Sequence, residues 1–182
     1  MNLNELLGTE FPLIQGGMAN IATAPFAAAV SNAGGMGLIG GGGMDADAFR
    51  AQIRLCRRLT DQPFGVNIML MHPQAGAMAQ IAAEEHVGFI TTGAGNPAPY
   101  LPLWKQAGAK VFPVVAAVAL AKLVERAGAD GVIAEGLGNH AAVEQADAAL
   151  ADKGDLVDLH VNHLLTKRRP RAGRLMDCML PG

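Results

Sequence analysis

The sequence has little of what marks a disulfide-stabilised, membrane-spanning or disordered protein. Its two cysteines, Cys56 and Cys178, have neither metal-site nor redox spacing, so we expect reduced thiols and no metal centre. Only 16% of the residues are charged and 4% are aromatic, whereas 51% are hydrophobic and 23 are glycine. No apolar run approaches the roughly 20 residues that a membrane-spanning helix needs. This composition predicts a folded domain with a buried core.

The two ends of the chain bear on location and partners. Residues 1–5 lack the basic stretch of a signal peptide, which together with the reduced thiols predicts a cytoplasmic protein. Residues 167–182 carry five basic side chains against one acidic side chain, a pattern that attracts nucleic acid or a membrane surface. The segment lacks aromatic residues and any nucleic-acid-binding signature. We therefore interpret it as a solvated end that binds neither.

Short apolar runs that end in glycine or a small polar residue recur along the first 136 residues. Their apolar parts begin near Leu13, Leu38, Val66, Phe89, Val111 and Val132. The segments between them predict helices over 22–33, 45–59, 73–85, 99–107 and 118–127. Asp45 is the expected N-cap of the second helix. This alternation is a βα repeat with a parallel sheet, and the pattern alone leaves a doubly wound open sheet and a (β/α)8 barrel as alternatives.

The small residues at the strand ends predict a ligand site. Ligands bind at the C-terminal ends of the strands in both architectures. Residues 16–19 follow the first strand, where glycine lets a flat ring approach the backbone. Asn67 is a polar side chain in an apolar strand, where an unpartnered amide costs about 1–3 kcal/mol. A tight turn at 16–19 and a structural hydrogen bond from Asn67 are the alternatives that need no ligand.

Five motifs in this order resemble the FMN-dependent nitronate monooxygenase family, which includes the flavin-containing type II enoyl-ACP reductases of bacterial fatty acid synthesis. They are Pro12–Ala19, Ala29–Gly37, Pro63–Leu70, Thr91–Pro97 and Val132–Gly136. The third and fourth are more similar to the enoyl-ACP reductase branch. The resemblance implies an α/β fold of the TIM (β/α)8-barrel type, with FMN at the C-terminal ends of the strands. It therefore favours the barrel over the open sheet.

The resemblance also implies roles for particular residues. The expected flavin-binding residues are Gly17, Met18, Ala19, Asn67, Gly93 and Glu135. Glu135 would bind the ribityl hydroxyls. His140 is the candidate catalytic acid/base, but it arrives earlier than the family's histidine, so a chance histidine is the alternative reading. FMN would be reduced by NAD(P)H or by the nitronate itself.

The chain departs from the family pattern after Gly136. We expect residues 1–140 to be the N-terminal part of an FMN-binding barrel and 141–182 to be a divergent tail. The tail contains a predicted helix at 141–151, a candidate strand at 155–160 and a basic irregular end. Six or seven βα units are expected, where a complete barrel has eight and its phosphate site usually follows strands 7 and 8. A truncated or frameshifted gene and an unrelated extension both account for this. An open strand edge would favour pairing, for example as a homodimer.

The sequence therefore predicts an FMN-dependent oxidoreductase and leaves its substrate open. The substrate is either an alkyl nitronate, as for a nitronate monooxygenase, or an enoyl thioester carried by acyl carrier protein. The alternative from another class is a catalytically inactive, truncated remnant of such an enzyme. A phosphate-sugar isomerase or synthase on the same fold is disfavoured, because no lysine or pair of carboxylates stands at the strand ends.

Overall fold

The computed structural model describes residues 2–135, together with the backbone of two short strands at 157–160 and 163–164. The described helices are α1 (Leu3–Leu7), α2 (Ala24–Asn32), α3 (Ala46–Leu59), α4 (Ala75–Glu84), α5 (Leu101–Gln106) and α6 (Val118–Arg126). The described strands are β1 (Gly37–Gly40), β2 (Phe64–Met69), β3 (Phe89–Gly93), β4 (Lys110–Val115), β5 (Ile133–Ala134), β6 (Val157–His160) and β7 (His163–Leu164). A 3₁₀ turn, Gly41–Gly43, follows β1.

The strands form one sheet in chain order from β1 to β7. Neighbours are parallel from β1 to β6, and β7 is antiparallel to β6. A helix lies in each crossover from β1 to β5. An open doubly wound sheet would reverse its strand order at a switch point, whereas parallel strands in chain order are the arrangement of a TIM-type barrel. The predicted fold class is confirmed.

The predicted elements agree with the structure except near the N-terminus. All five helices predicted before residue 136 are present with ends shifted by at most two residues, and Asp45 caps α3 by accepting from the Ala48 N–H at 2.8 Å. The candidate strand at 155–160 is present as β6, whereas the helix predicted at 141–151 lies outside the described residues. The strand expected near Leu13 is reduced to one parallel bridge between Ile14 and Met36. The unpredicted helix α1 begins where the Glu5 carboxylate accepts from the Asn2 N–H at 2.8 Å.

Two apolar layers lie on opposite faces of the sheet. The outer layer packs the helices on the strands and contains Phe49 and Ile53 of α3 together with Val66 of β2. The inner layer is formed by Leu7, Ile14, Met36, Leu38, Phe89, Phe112 and Ile133. Leu7 comes from α1, whose Leu6 carbonyl accepts a hydrogen bond from Lys110 at the start of β4. Helix α1 therefore packs at the N-terminal side of the inner layer, at the opposite end of the strands from their C-terminal edge.

A charged cluster around Glu85 joins α3 to α4. The Glu85 side chain is 8% exposed and accepts hydrogen bonds from Arg50 at 3.1 Å, Arg54 at 2.9 Å and Arg57 at 3.0 Å. Arg50 also binds Glu84 at 2.6 Å. Burial acts to raise the pKa of Glu85, but the bonds from Arg54 and Arg50 and the nearby positive charges outweigh it. The pKa of this carboxyl therefore lies below its ordinary value.

We expect Glu85→Gln to lower the free energy of unfolding by about 1–2 kcal/mol at neutral pH, because three guanidinium groups lose their shared counter-charge. Since the folded pKa is below the unfolded value of about 4.3, this stabilisation is present above that value and is lost as pH falls through the folded pKa. Urea unfolding at neutral and acidic pH should show the difference from wild type shrinking in acid. Glu84→Gln is the control, because its side chain is 44% exposed. Equal losses from both variants at neutral pH would contradict the role of Glu85.

Candidate functional site

The segment between α1 and α2 carries the chain to the C-terminal edge of the sheet at residues 15–19. The Gln15 N–H donates to the Met36 carbonyl at 2.9 Å, and its side-chain Nε2 donates to the Leu38 carbonyl at 3.1 Å. Its Oε1 accepts from the Leu38 N–H at 3.2 Å. The buried amide of Gln15 therefore pairs with β1 where the backbone ladder ends. The chain then leaves the sheet at Gly16, beside the end of β1.

Gly17 lies directly against Asn67 of β2. A Cβ added at Gly17 would fall 2.3 Å from Asn67 Cβ and 2.6 Å from its Nδ2, distances that no real side chain occupies. A Cβ added at Gly16 would meet no atom of the described residues within 4 Å. Gly17 is therefore required by the close approach to β2, whereas a side chain at Gly16 would contact none of the described residues.

Asn67 is the polar centre of this edge. Gly40, Asn67 and Thr91 are register neighbours on β1, β2 and β3. The Thr91 hydroxyl donates to Asn67 Oδ1 at 2.8 Å, and Asn67 Nδ2 donates to the Gly17 carbonyl at 3.5 Å. The structural hydrogen bond that the sequence leaves open as an alternative is therefore present. The same amide also bonds residues 16–19, the segment that crosses the C-terminal edge of the sheet, through the Gly17 carbonyl.

The next part of the edge is the end of β3. Gly93 accepts from the Leu70 N–H at 2.8 Å, and among the described residues nothing lies within 4 Å of a Cβ added there. Ala94 follows with a φ of 51°, a left-handed conformation that alanine rarely adopts. Gly95 has a φ of 151°, and a Cβ there would lie 2.7 Å from Leu70 Cβ. Strained turns of this kind concentrate at ligand sites, and this one follows Gly93 directly at the end of β3.

The other predicted site residues lie along the same edge, except His140. Met18 is 41% exposed, and its carbonyl oxygen lies 2.8 Å from the position of a Cβ on Gly40. The exposed Ala19 follows it. Glu135 comes directly after β5, where its N–H donates to the Val115 carbonyl at 3.0 Å, so β4 separates it from β3. His140 lies outside the described residues.

The sequence predicts that the hydroxyls and amides of Thr91–Gly95 line a substrate or flavin pocket, but it distinguishes neither Thr91 nor Ala94 within that segment and gives Gln15 no role of its own. Alternation along β3 places Thr91 on the same face as Phe89, whereas its position beside Asn67 depends on the register of β2 against β3. The buried position of Gln15 depends on its pairing with Leu38, 23 residues further along the chain, and no local sequence pattern indicates that pairing. Ala94 is exposed, and its left-handed conformation is rare for alanine and was not predicted.

The described residues at this edge are suited to binding rather than to acid–base chemistry. From residue 16 to residue 20 and along β2 and β3, the edge offers backbone groups, the side-chain amides of Asn20 and Asn67 and the Thr91 hydroxyl. Cys56 lies on the buried face of α3, where burial raises its pKa to about 11, so it is no nucleophile at neutral pH. In the part of the chain described, no three His, Cys, Asp or Glu side chains lie close enough to hold a metal ion. The helices of that part are all too short or too polar to cross a membrane.

Residues 1–87 match the family model for nitronate monooxygenase. The chain resembles that family. The resemblance inferred from the sequence motifs is therefore confirmed on this segment.

Two curated relatives match most of this chain. A nitronate monooxygenase from Paraburkholderia phytofirmans is 31% identical, with the match covering 79% of this chain and 50% of that protein. A (3aS,4S,5R,7aS)-5-hydroxy-7a-methyl-1-oxo-octahydro-1H-indene-4-carboxyl-CoA dehydrogenase from Mycobacterium tuberculosis is 35% identical, covering 74% of this chain and 38% of that protein. This chain spans half or less of the length of these two relatives.

Solved structures share the fold. FabK from Thermotoga maritima superposes with a TM-score of 0.79 at 43% identity, covering 86% of this chain and 52% of that one. A nitroalkane oxidase from Streptomyces ansochromogenes superposes with a TM-score of 0.74 at 24% identity, covering 85% of this chain and 60% of that one. The second likeness shows the fold alone.

Proposed function

We propose that this chain supplies the flavin-binding edge of an FMN-dependent oxidoreductase of the nitronate monooxygenase and enoyl-ACP reductase type. The observation that carries the proposal is the convergence of Gly17, Asn67 and Thr91 at the C-terminal edge of the sheet. An amide held between a close-packed glycine and a buried hydroxyl is a rigid hydrogen-bonding point beside open space. The family match of residues 1–87 supports flavin as the group that such a point would bind.

The residues present fit the ring end of FMN. A flavin ring is flat, its faces are apolar, and its edge carries hydrogen-bond acceptors and one donor. We propose that the backbone of Gly17, Met18 and Ala19 and the amide of Asn67 bind this edge. Gly93 would let the ring approach β3, because space is open there. Glu135 would bind the ribityl hydroxyls, and the phosphate is assigned to none of the described residues.

When bound, FMN would supply the two-electron redox chemistry, with NAD(P)H as reductant. The chain's own residues would bind and orient the ring and keep water from its inner side. The inner apolar layer, with Phe89 and Phe112 in edge-to-face contact at 5.2 Å, fills the space below the edge. Helix α1 packs at the far end of that layer through Leu7. His140 is retained as the proposed acid/base.

For the substrate we favour an enoyl thioester over an alkyl nitronate. Three exposed methionines lie at or just beyond the C-terminal edge of the sheet. They are Met18, Met69 and Met71, and Met71 is 74% exposed. Flexible apolar side chains of this kind suit an acyl chain better than a small nitronate. The 43% identity to FabK, an enoyl-ACP reductase, supports the same choice. The nitronate remains the second candidate because the family model and a 31% identical relative carry that name.

We propose acyl carrier protein as the carrier of the thioester, a cytoplasmic location and assembly as a homodimer. Comparing NAD(P)H-dependent reduction of an enoyl thioester with oxygen consumption on an alkyl nitronate distinguishes the two substrates. A chain that binds flavin weakly or not at all and turns over neither would be an inactive remnant.

Asn67→Ala tests the flavin-binding role of the central amide. We expect the dissociation constant for FMN to rise about tenfold, because one hydrogen bond to the ring and the order of residues 16–18 are lost. Quenching of FMN fluorescence on titration with protein measures this constant. Asn32→Ala is the control. Asn32 also donates to a backbone carbonyl, that of Leu59 at 3.3 Å, but it is the last residue of α2 and lies at the opposite end of the strands. Equal affinities of both variants would contradict the assignment.

A further inference from the structure

The Asn67 side chain has a partner on each side. Its Oδ1 accepts from the Thr91 hydroxyl at 2.8 Å, and its Nδ2 lies 3.5 Å from the Gly17 carbonyl oxygen. Thr91 is 2% exposed and comes from the neighbouring strand. Gly17 lies so close that a Cβ there would be 2.5 Å from Asn67 Cγ. The amide is therefore confined between β3 and the segment that crosses the edge.

These two partners select one orientation of the amide. A threonine hydroxyl both donates and accepts, so Thr91 alone would bond either end of the amide. With the amide reversed, Oδ1 would face the Gly17 carbonyl, and two acceptor oxygens would meet without a hydrogen between them. Only the observed orientation pairs both ends. It turns the N–H groups, and not the oxygen, toward the segment at the edge.

The long bond to Gly17 leaves donor capacity for a ligand. At 3.5 Å the Nδ2–carbonyl distance exceeds that of a good N–H···O bond, which lies at about 2.9–3.0 Å. The amide nitrogen carries two N–H groups, whereas Oδ1 is occupied at 2.8 Å by the Thr91 hydroxyl. A ligand that reaches this point therefore meets a hydrogen-bond donor.

We propose that Thr91 is a positioning residue that fixes the Asn67 amide with its N–H groups facing the ligand. This point of the edge then recognises an acceptor atom, a carbonyl oxygen or an unprotonated ring nitrogen. Thr91 itself touches no ligand and acts through Asn67. The identity of the ligand as a flavin rests on the proposed function, whereas the fixed amide is a property of the protein without ligand.

Three variants of Thr91 and its neighbour test the hydroxyl. Thr91→Val keeps the shape and removes the donor, and we expect FMN affinity to fall about five- to tenfold. Thr91→Ser keeps the donor and should bind within about twofold of wild type. Thr92→Val is the matched control, because Thr92 is 1% exposed on the other face of β3 and its hydroxyl has no side-chain partner among the described residues. It should also bind within about twofold of wild type.

Asn67→Asp tests the donor directly and keeps the bond from Thr91. A carboxylate only accepts hydrogen bonds, so it presents oxygen where the amide presents N–H. We expect FMN affinity to fall about tenfold or more, with the circular dichroism spectrum unchanged. Binding of FMN as tight as wild type by Asn67→Asp, or by Thr91→Val, would overturn the proposal.

The spectrum of the free protein separates this inference from the proposed function. In ¹⁵N-labelled chain without ligand, the two side-chain amide protons of Asn67 should be well separated and exchange slowly in wild type and Thr91→Ser. In Thr91→Val they should shift and exchange faster. If wild type binds no FMN, the proposed function fails, and this spectrum decides the positioning role alone. Unchanged Asn67 amide signals in Thr91→Val would then overturn it.

Discussion

Gly17→Ala should abolish measurable FMN binding. The added methyl carbon would lie 2.3 Å from Asn67 Cβ, so either residues 16–18 or the Asn67 side chain must move away. Both are proposed to bind the flavin ring, so the displacement removes their hydrogen bonds to the ring together, and each lost bond costs about 0.5–1.5 kcal/mol. FMN fluorescence titration measures the loss, and circular dichroism shows whether the fold is retained.

Gly16→Ala is the matched control for this result. Its added methyl group would meet no described atom within 4 Å, so the folded protein should be as stable as wild type. Any loss of FMN affinity in Gly16→Ala would then come from contact with the ligand itself, and we expect it to be smaller than in Gly17→Ala. Wild-type affinity in Gly17→Ala would contradict the placement of the ring beside Asn67.

Gly37→Ala should give the largest loss of stability of any glycine substitution considered. A Cβ at Gly37 would lie 1.9 Å from the Ala27 carbonyl oxygen and 2.6 Å from its carbon. These are backbone atoms of α2, so no change of rotamer relieves the contact and the helix must move off β1. We expect the free energy of unfolding to fall by about 3 kcal/mol or more, measured by urea denaturation.

Gly88→Ala provides the comparison for Gly37→Ala. Gly88 lies just before β3, is exposed, and a Cβ there would meet none of the described atoms within 4 Å. Its substitution should change stability by no more than about 0.5 kcal/mol. Equal stabilities of the two variants would show that α2 does not pack against β1 as closely as the structure has it.

Local patterns were sufficient to predict most of the elements. The apolar spacing within α3, the Asp45 cap and the glycines after the helices act within a few residues, and the predicted helix ends agree within two residues. The first strand was overpredicted, because the apolar residues near Leu13 meet β1 at one bridge only, between Ile14 and Met36. The choice between barrel and open sheet depended on strand order, which no local pattern contains.

The site was predicted in part for the same reason. Asn67 is recognisable as a polar residue in an apolar strand, so its need for a partner follows from the sequence. The identity of that partner depends on the register of β2 against β3, which places Thr91 beside Asn67 across 24 residues of chain. The contact of Gly17 with Asn67 spans 50 residues and depends on where the chain leaves the sheet. The Glu85 cluster, formed between two helices, was likewise not predicted.

We propose that the edge formed by Gly17, Asn67 and Gly93 binds FMN. Titration of the purified wild-type chain with FMN, followed by flavin fluorescence and the visible spectrum, measures this binding. We expect saturable quenching that approaches one FMN per chain, with a shifted and better-resolved flavin absorption band. A folded chain that leaves both the fluorescence and the spectrum of FMN unchanged would contradict the claim.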